Sequence, residues 1–160
     1  MQIDLKNCTV LFKDGGSNSI EIKVGEGTLT YNEQQTREYK LDRGTLDTVR
    51  NGDDTPVEVS IDLVWEWLRA HGTSEPTPEE AVKKVGAAAA WATSDTTDAC
   101  APYSIDIEVT HNPDCGSELN EVILLSYFRW ETLPHDLKAG TLVCTGKCNI
   151  TQATVTRVAA

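Results

Sequence analysis

The residues best suited to chemistry in this sequence are four potential metal ligands, His111, Cys115, Cys144 and Cys148. Zinc prefers four nitrogen or sulfur ligands, and the spacing of Cys144 and Cys148 falls within the range used in structural zinc sites. However, a His-x3-Cys pair combined with a distant Cys-x3-Cys pair matches no established zinc-binding pattern. The cysteines therefore have three interpretations: zinc ligands, a disulfide such as Cys100–Cys115, or small apolar residues of a core, which the sequence favours.

Common catalytic and phosphate-binding motifs are missing from the sequence. It contains no Gly-x-Gly-x-x-Gly, no Gly-Lys-Ser/Thr phosphate loop, no Gly-x-Ser-x-Gly and no His-Glu-x-x-His. The three histidines, His71, His111 and His135, each stand among polar, turn-forming residues, where the imidazole is usually solvated. We therefore predict no catalytic residues and no cofactor, and expect that the chain is not an enzyme.

Two pairs of adjacent carboxylates have structural explanations. Asp53-Asp54 fits a solvated turn, and Glu79-Glu80 fits the first turn of a helix, where the helix dipole favours acids. Seven acidic residues and only two basic ones lie between positions 42 and 66. This local excess predicts a surface on which negative potential is useful.

Length and charge limit the possible functions. The 160 residues are 39% hydrophobic, which suits one folded domain over 1–160. The net charge of −11 argues against sequence-specific nucleic-acid binding and against adsorption to anionic membranes. No apolar run approaches the roughly 18 residues of a membrane span, and the first residues lack the features of a secretory leader, so we expect no membrane insertion.

Alternation of apolar and polar residues predicts strands along most of the chain. A hairpin is predicted over 8–24, around an Asp-Gly-Gly turn, and a third strand begins near position 28. The clearest strand runs over 57–68, with Val57 to Trp67 alternating on an apolar face and Glu58, Asp62 and Glu66 on the polar face. Four later strands are predicted, over 103–110, 121–130, 140–144 and 153–158.

Two segments differ from this strand pattern. Thr77 as N-cap, Pro78 at the first position and Glu80 as capping-box partner predict one helix over about 78–90. The polar, Gly-containing segment over about 42–56 predicts a long loop with a turn at Asn51-Gly52, and such loops are often functional. The predicted fold is mainly β in the α+β class, with two packed antiparallel sheets (a β-sandwich or barrel) and one flanking helix.

The order of these elements resembles that of bacteriophage tail tube proteins, also called major tail proteins, which are related in fold to the tubes of contractile injection systems. The resemblance is carried by the hairpin over 8–24, the polar loop, the long strand, the single helix, and a closing segment. That segment comprises Leu133–Leu142 and Gly146-Lys147-Cys148-Asn149. The resemblance extends over nearly the whole chain and rests on architecture more than on a signature motif.

The resemblance implies two roughly orthogonal sheets and hexameric rings that stack into a tube in the virion tail, assembled in the host cytoplasm with other tail proteins. DNA would pass through the lumen without specific binding. The resemblance implies that Glu58, Asp62 and Glu66 face the lumen, although a solvated sheet face explains them equally well. It also implies that the loop contacts a neighbouring ring, through the residues Asp42, Arg43, Asp47, Arg50, Asp53 and Asp54.

Other functions fit the same composition. A soluble β-sandwich adaptor or carbohydrate-binding module would be favoured by exposed tryptophans, but Trp65 and Trp67 share the apolar face of the long strand. Trp91 and Trp130 have no such assignment. A neck or tail-terminator protein, which forms one ring without stacking, is a further alternative among virion proteins.

Overall fold

The computed structural model of the chain describes residues 8–22, 28–64, 75–112 and 119–158. This part contains strands and one short helix, which confirms the predicted mainly-β, α+β fold. Its strands are β1 (Cys8–Lys13), β2 (Ser19–Ile22), β3 (Leu29–Asn32), β4 (Gln35–Asp42), β5 (Thr45–Asp54), β6 (Val57–Val64), β7 (Ile105–His111), β8 (Asn120–Thr132), β9 (His135–Asp136), β10 (Thr141–Cys148) and β11 (Thr154–Val158). The helix, α1 (Pro78–Lys83), follows β6, and a 3-10 turn at Gly86–Ala88 follows the helix.

Nine strands form one antiparallel sheet in the order β2-β1-β7-β8-β10-β6-β3, with β11 beside β8 and β9 beside β10. Strands β4 and β5 form a separate two-stranded sheet. The strands on either side of β8 in the sheet order, together with α1, contribute buried side chains to a single hydrophobic core. The large sheet therefore curls around that core, so the two packed walls of the β-sandwich-like fold come from one continuous sheet.

The alternation predicted for the long strand is confirmed along β6. Val57, Val59, Ile61 and Leu63 are buried, whereas Glu58 on the other face is exposed. Burial of each such aliphatic side chain stabilises the fold by about 1.5–3 kcal/mol. The predicted continuation of this strand, with Trp65, Glu66 and Trp67, lies outside the described residues.

Strand β8 changes one of its neighbours half-way along its length. Its first half pairs with β11 and its second half with β10. At this point four residues of β8, Leu125 to Phe128, lie opposite only three residues of β7, Ile105 to Ile107. Tyr127, within the longer segment, has a φ of 61°. This extra residue is a β-bulge, which bends the strand. The carboxylate of Asp106 accepts a hydrogen bond from the Tyr127 N–H at 3.0 Å and so stabilises the bulge.

The helix begins where the sequence predicts and ends sooner. The Thr77 hydroxyl accepts a hydrogen bond from the Glu80 N–H at 3.3 Å, which confirms the N-cap. The predicted extension to about 90 is wrong, because Lys84 adopts a left-handed conformation with a φ of 57°. The Glu80 carboxylate accepts a hydrogen bond from the Ala87 N–H at 2.9 Å, so it stabilises the following turn.

The predicted long loop over about 42–56 is also wrong, because most of it is strand β5. Strands β4 and β5 form a hairpin with its tip at Arg43-Gly44, where both residues have positive φ, rather than at Asn51-Gly52. Positive φ at both loop residues matches the right-handed twist of a hairpin. The strand pattern is weak because both faces of β5 are exposed and two register shifts interrupt its pairing with β4.

The bulge gives a test of the fold. We expect Asp106→Ala to lower the free energy of unfolding by about 1–2 kcal/mol, because it leaves the Tyr127 N–H without its acceptor. Glu108→Ala is the matched control, since Glu108 lies two residues along β7 and forms only a partly exposed ion pair with Lys13. The control should cost less than about 1 kcal/mol. Urea unfolding curves measure both, and equal losses would contradict the role assigned to Asp106.

Candidate functional site

The hairpin of β4 and β5, called the arm below and comprising residues 35–54, projects from one end of the large sheet. Strand β3 ends two residues before the arm and β6 begins two residues after it, so the arm continues the β3–β6 pair. Pro56 has no N–H, which helps to interrupt the ladder at this point. The root of the arm is tied to the body, because the Glu33 carboxylate accepts a hydrogen bond from the Ala153 N–H at 3.2 Å.

One face of the arm is apolar and exposed. Tyr39 lies opposite Val49, and Leu41 lies opposite Leu46, so these four side chains project from the same face. Between 55% and 72% of each side chain is exposed. A contiguous exposed apolar patch marks an interaction site in a folded protein. A two-stranded hairpin is also only marginally stable by itself in water, and the described residues of the body leave this face of the arm exposed.

The opposite face of the arm is polar and carries balanced charge. Glu38 lies opposite Arg50, and Lys40 lies opposite Thr48. The arm carries four basic and five acidic residues, whereas the other 140 residues carry ten basic and twenty acidic ones. The arm is therefore nearly neutral on a strongly acidic protein.

All six residues predicted for an inter-ring contact lie on the arm. Asp42 and Arg43 are at its tip, Asp47 and Arg50 are in β5, and Asp53 and Asp54 are at its root. The sequence prediction missed the four apolar residues that distinguish the arm from a solvated loop. The sequence offers only a weak signal for them, because Tyr39 and Leu41 alternate in β4, whereas a register shift in the hairpin brings Leu46 and Val49 to the same face.

The structure places Glu58 and Asp62 on the outer face of β6, away from the core. Lys147 of β10 lies directly opposite Glu58, and the Thr28 hydroxyl donates a 3.5 Å hydrogen bond to the Asp62 carboxylate. The negative potential near Glu58 is therefore reduced by a neighbouring cation. Glu66, the third predicted member of this set, lies outside the described residues.

The predicted set of zinc ligands is not brought together. Cys144 and Cys148 are four residues apart on the extended strand β10, which separates them by about 13 Å, too far to share one ion. His111 is buried on β7, contrary to the solvated setting that its neighbours in sequence suggested, and Cys115 lies outside the described residues. Among the described residues, no three His, Cys, Asp or Glu side chains are arranged to hold a metal ion.

The cysteines differ in their environments. Cys144 and Cys148 are fully buried small apolar residues, as the sequence favoured, and burial raises the pKa of each thiol to about 12. Cys100, in contrast, is an exposed free thiol. Its suggested disulfide partner, Cys115, is not among the described residues.

Two buried carboxylates support the fold instead of forming a reactive centre. Burial opposes the ionisation of Asp14, but hydrogen bonds from Asn18, Ala92 and Gly16 outweigh it and hold the pKa below its ordinary value. Hydrogen bonds from Thr97 and Arg129 lower the pKa of Asp95 to about 2, and Arg129 lies 3.0 Å away. Both carboxylates therefore join loops to the sheet through the hydrogen bonds that they accept.

No model of a known protein family matches this chain, and a search of curated proteins found no match either. Within the described residues, no helix has the length and the apolar character that crossing a membrane requires. The arm therefore stands out as the candidate functional site on the basis of its geometry alone.

The thiol environments give a second test. At about pH 8, a thiol with a pKa near 12 is ionised in about one molecule in ten thousand, so Cys144 and Cys148 should resist iodoacetamide in the folded protein. Cys100 should react rapidly, and all three should react after unfolding in urea. Mass spectrometry of tryptic peptides measures the labelling. Fast labelling of Cys144 or Cys148 in the folded protein would contradict the burial described above.

Proposed function

We propose that this protein is a structural virion subunit that self-assembles through its arm into stacked hexameric rings, forming the tail tube of a bacteriophage. The observation that carries the proposal is the exposed apolar face of the arm. Self-assembly provides this face with a partner that the rest of the same chain does not supply. The tail tube is the form of assembly that the order of elements in the sequence favours.

The energy available from the arm supports an assembly role. Burying the exposed fractions of Tyr39, Leu41, Leu46 and Val49 contributes roughly 4–8 kcal/mol per arm. Association itself has a large entropic cost, so one arm alone gives a weak contact. In a ring or tube every subunit both gives and receives such contacts, and the combined contacts make a stable assembly.

The direction of the arm favours a head-to-tail arrangement. When an arm that projects from one end of a subunit binds a different surface of its neighbour, the contact is heterologous. Such contacts close into rings, or continue as an open helical array when a rise is added. A tube of stacked rings combines both arrangements, and other tail proteins would bind at its ends.

The lumen of the proposed tube would be lined by the outer face of β6, with Glu58 and Asp62, and by Glu66, as the sequence predicts. A wall with negative potential repels the phosphates of DNA and lets the duplex pass without adhering. Lys147 beside Glu58 limits this potential, so repulsion at that position is moderate.

A second candidate function is a soluble β-sandwich binding or adaptor module. It is favoured by Trp130, whose side chain is 40% exposed, because exposed aromatic rings are frequent in binding sites. A neck or tail-terminator protein would use the same arm within a single ring. Electron microscopy of the purified protein distinguishes these functions, since they correspond to tubes, separate subunits and single rings.

The arm provides the decisive test of assembly. We expect Leu41→Ser combined with Leu46→Ser to raise the protein concentration needed for assembly at least about tenfold, because the contact loses apolar area. Lys40→Gln combined with Thr48→Gln changes the opposite face of the same arm and should leave assembly nearly unchanged. Light scattering and negative-stain microscopy measure both variants, and circular dichroism verifies their folding. Unchanged assembly in the leucine variant would refute the proposal.

The lumen assignment has its own test. Converting Glu58, Asp62 and Glu66 to lysine should leave tubes intact but cause them to retain double-stranded DNA, in a manner that weakens with added salt. The control variant converts three exposed carboxylates elsewhere to lysine, namely Glu21, Glu75 and Glu131. Co-sedimentation of DNA with tubes is the measurement. Equal retention in the control, or loss of assembly in the lumen variant, would count against the assignment.

A further inference from the structure

A second exposed surface lies along α1 and reaches the end of the sheet opposite the root of the arm. Val57 and Cys148 pair at the root of the arm, and Val64 and Thr141 pair at the other end. His135 pairs in register with Leu142 near this far end. Leu137, in the turn that precedes β10, is 75% exposed.

Contacts along α1 connect this turn to Trp130. The Glu79 carboxylate lies 3.1 Å from the His135 imidazole and accepts a 2.6 Å hydrogen bond from Lys83. The Lys83 ammonium lies 5.6 Å from the centre of the Trp130 ring. Together these residues, Glu79, Lys83, Trp130, His135 and Leu137, form what we call the far-end surface. It begins at the far end with Leu137 and His135 and runs along α1 to Trp130, which pairs with Gly146 in the half of β10 nearer the arm root. It combines an exposed tryptophan and an exposed leucine with charged neighbours, the composition typical of strong binding sites.

We propose that the apolar face of the arm of one copy docks on the far-end surface of the next copy. This inference rests on the proposed function, because it names the receptor for the self-assembling arm. The tip lies eight residues from the root, so it extends about 26 Å beyond the body, and the apolar pairs lie in its outer half. When copies repeat head to tail, the arm of one copy meets the end of its neighbour that lies opposite the arm root.

The described part of the body has four other exposed large apolar residues, Val85, Leu119, Val155 and Val158. Val85 follows α1, directly after its C-cap Lys84. The other three lie at the wrong end for this contact, and Leu119 directly precedes Asn120, the β8 partner of Val158. Val155 and Val158 are on β11, which follows directly after Ala153, the residue bound to Glu33 at the arm root. A head-to-tail repeat therefore does not bring the next arm to β11. In this docked arrangement the carboxylates of Glu79 and Asp136 would lie near Arg43 at the tip of the incoming arm, in addition to the hydrogen bonds that they accept within their own chain.

Cross-linking between differently labelled copies tests the docking. Full-length copies with Leu46→Cys are mixed with copies carrying Leu137→Cys, all in a Cys100→Ser background, and treated with a short bis-maleimide linker. We expect a covalent dimer from this mixture. Val155→Cys in place of Leu137→Cys is the matched control, since Val155 is also half-exposed, and it should give at least about fivefold less dimer.

The tryptophan gives an independent measurement of the same contact. Trp130→Ala should raise the protein concentration needed for assembly at least about tenfold. Trp130→Phe should bring that concentration most of the way back to the original value, because an aromatic ring again fills the contact. Unfolding temperatures of both variants verify that the body remains folded.

The outcomes separate failure of the docking from failure of the proposed function. Cross-links to Val155→Cys in place of Leu137→Cys, or normal assembly of Trp130→Ala, would overturn the far-end receptor. The assembly role of the arm would stand if Leu41→Ser with Leu46→Ser still prevented assembly. If the leucine variant assembled normally and neither mixture cross-linked, both the docking and the self-assembly proposal would be wrong.

Discussion

Strand β8 is the element on which the rest of the structure depends, because it must satisfy three neighbouring strands. It pairs with β7 along one edge, while its other edge is shared between β11 and β10. A straight strand would hold all of these partners in one plane. The extra residue at Tyr127, held by the Asp106 carboxylate, bends the strand and brings the two walls of the sheet around one core.

The closed body and the open arm differ in how their groups are satisfied. Within the described residues, no fully buried side-chain nitrogen or oxygen lacks a hydrogen-bond partner, and Asp14 and Asp95 are held by several donors each. The arm has the opposite character, since its large apolar side chains face solvent. Within the described residues, the apolar surface available for binding therefore lies outside the core, and the arm carries four of the large exposed apolar side chains.

The sequence predicted those elements that have one buried face. Strands β6 and β7 alternate between inward-facing and outward-facing residues, and α1 begins at a capping threonine, so the sequence predicts both the strands and the start of the helix. The sequence does not predict the end of the helix, because the residue that terminates it, Lys84, has no preference for a left-handed backbone conformation. The arm was missed as a hairpin because a strand exposed on both faces has no alternation imposed by a core.

The six charged residues predicted for an inter-ring contact all lie on the arm, and their role in such a contact stays a prediction. The sequence analysis overlooks the four exposed apolar residues of the same segment. The zinc interpretation failed for a geometric reason, because a Cys-x3-Cys spacing that suits a turn is too long on an extended strand. The hexameric tail tube stays a prediction, which rests on the order of the elements.

The continuity of the arm with β3 and β6 has a mechanical consequence. If a neighbouring copy holds the arm, as we propose, tension along the arm passes through the backbone directly into β6. That strand is bonded on both sides, by β10 over its whole length and by β3 over four residues. A pull along the strand loads these hydrogen bonds in parallel, so many must break together and none can be peeled away singly. The covalent path of the chain thus anchors the arm in a strand of the large sheet that is paired along both of its edges.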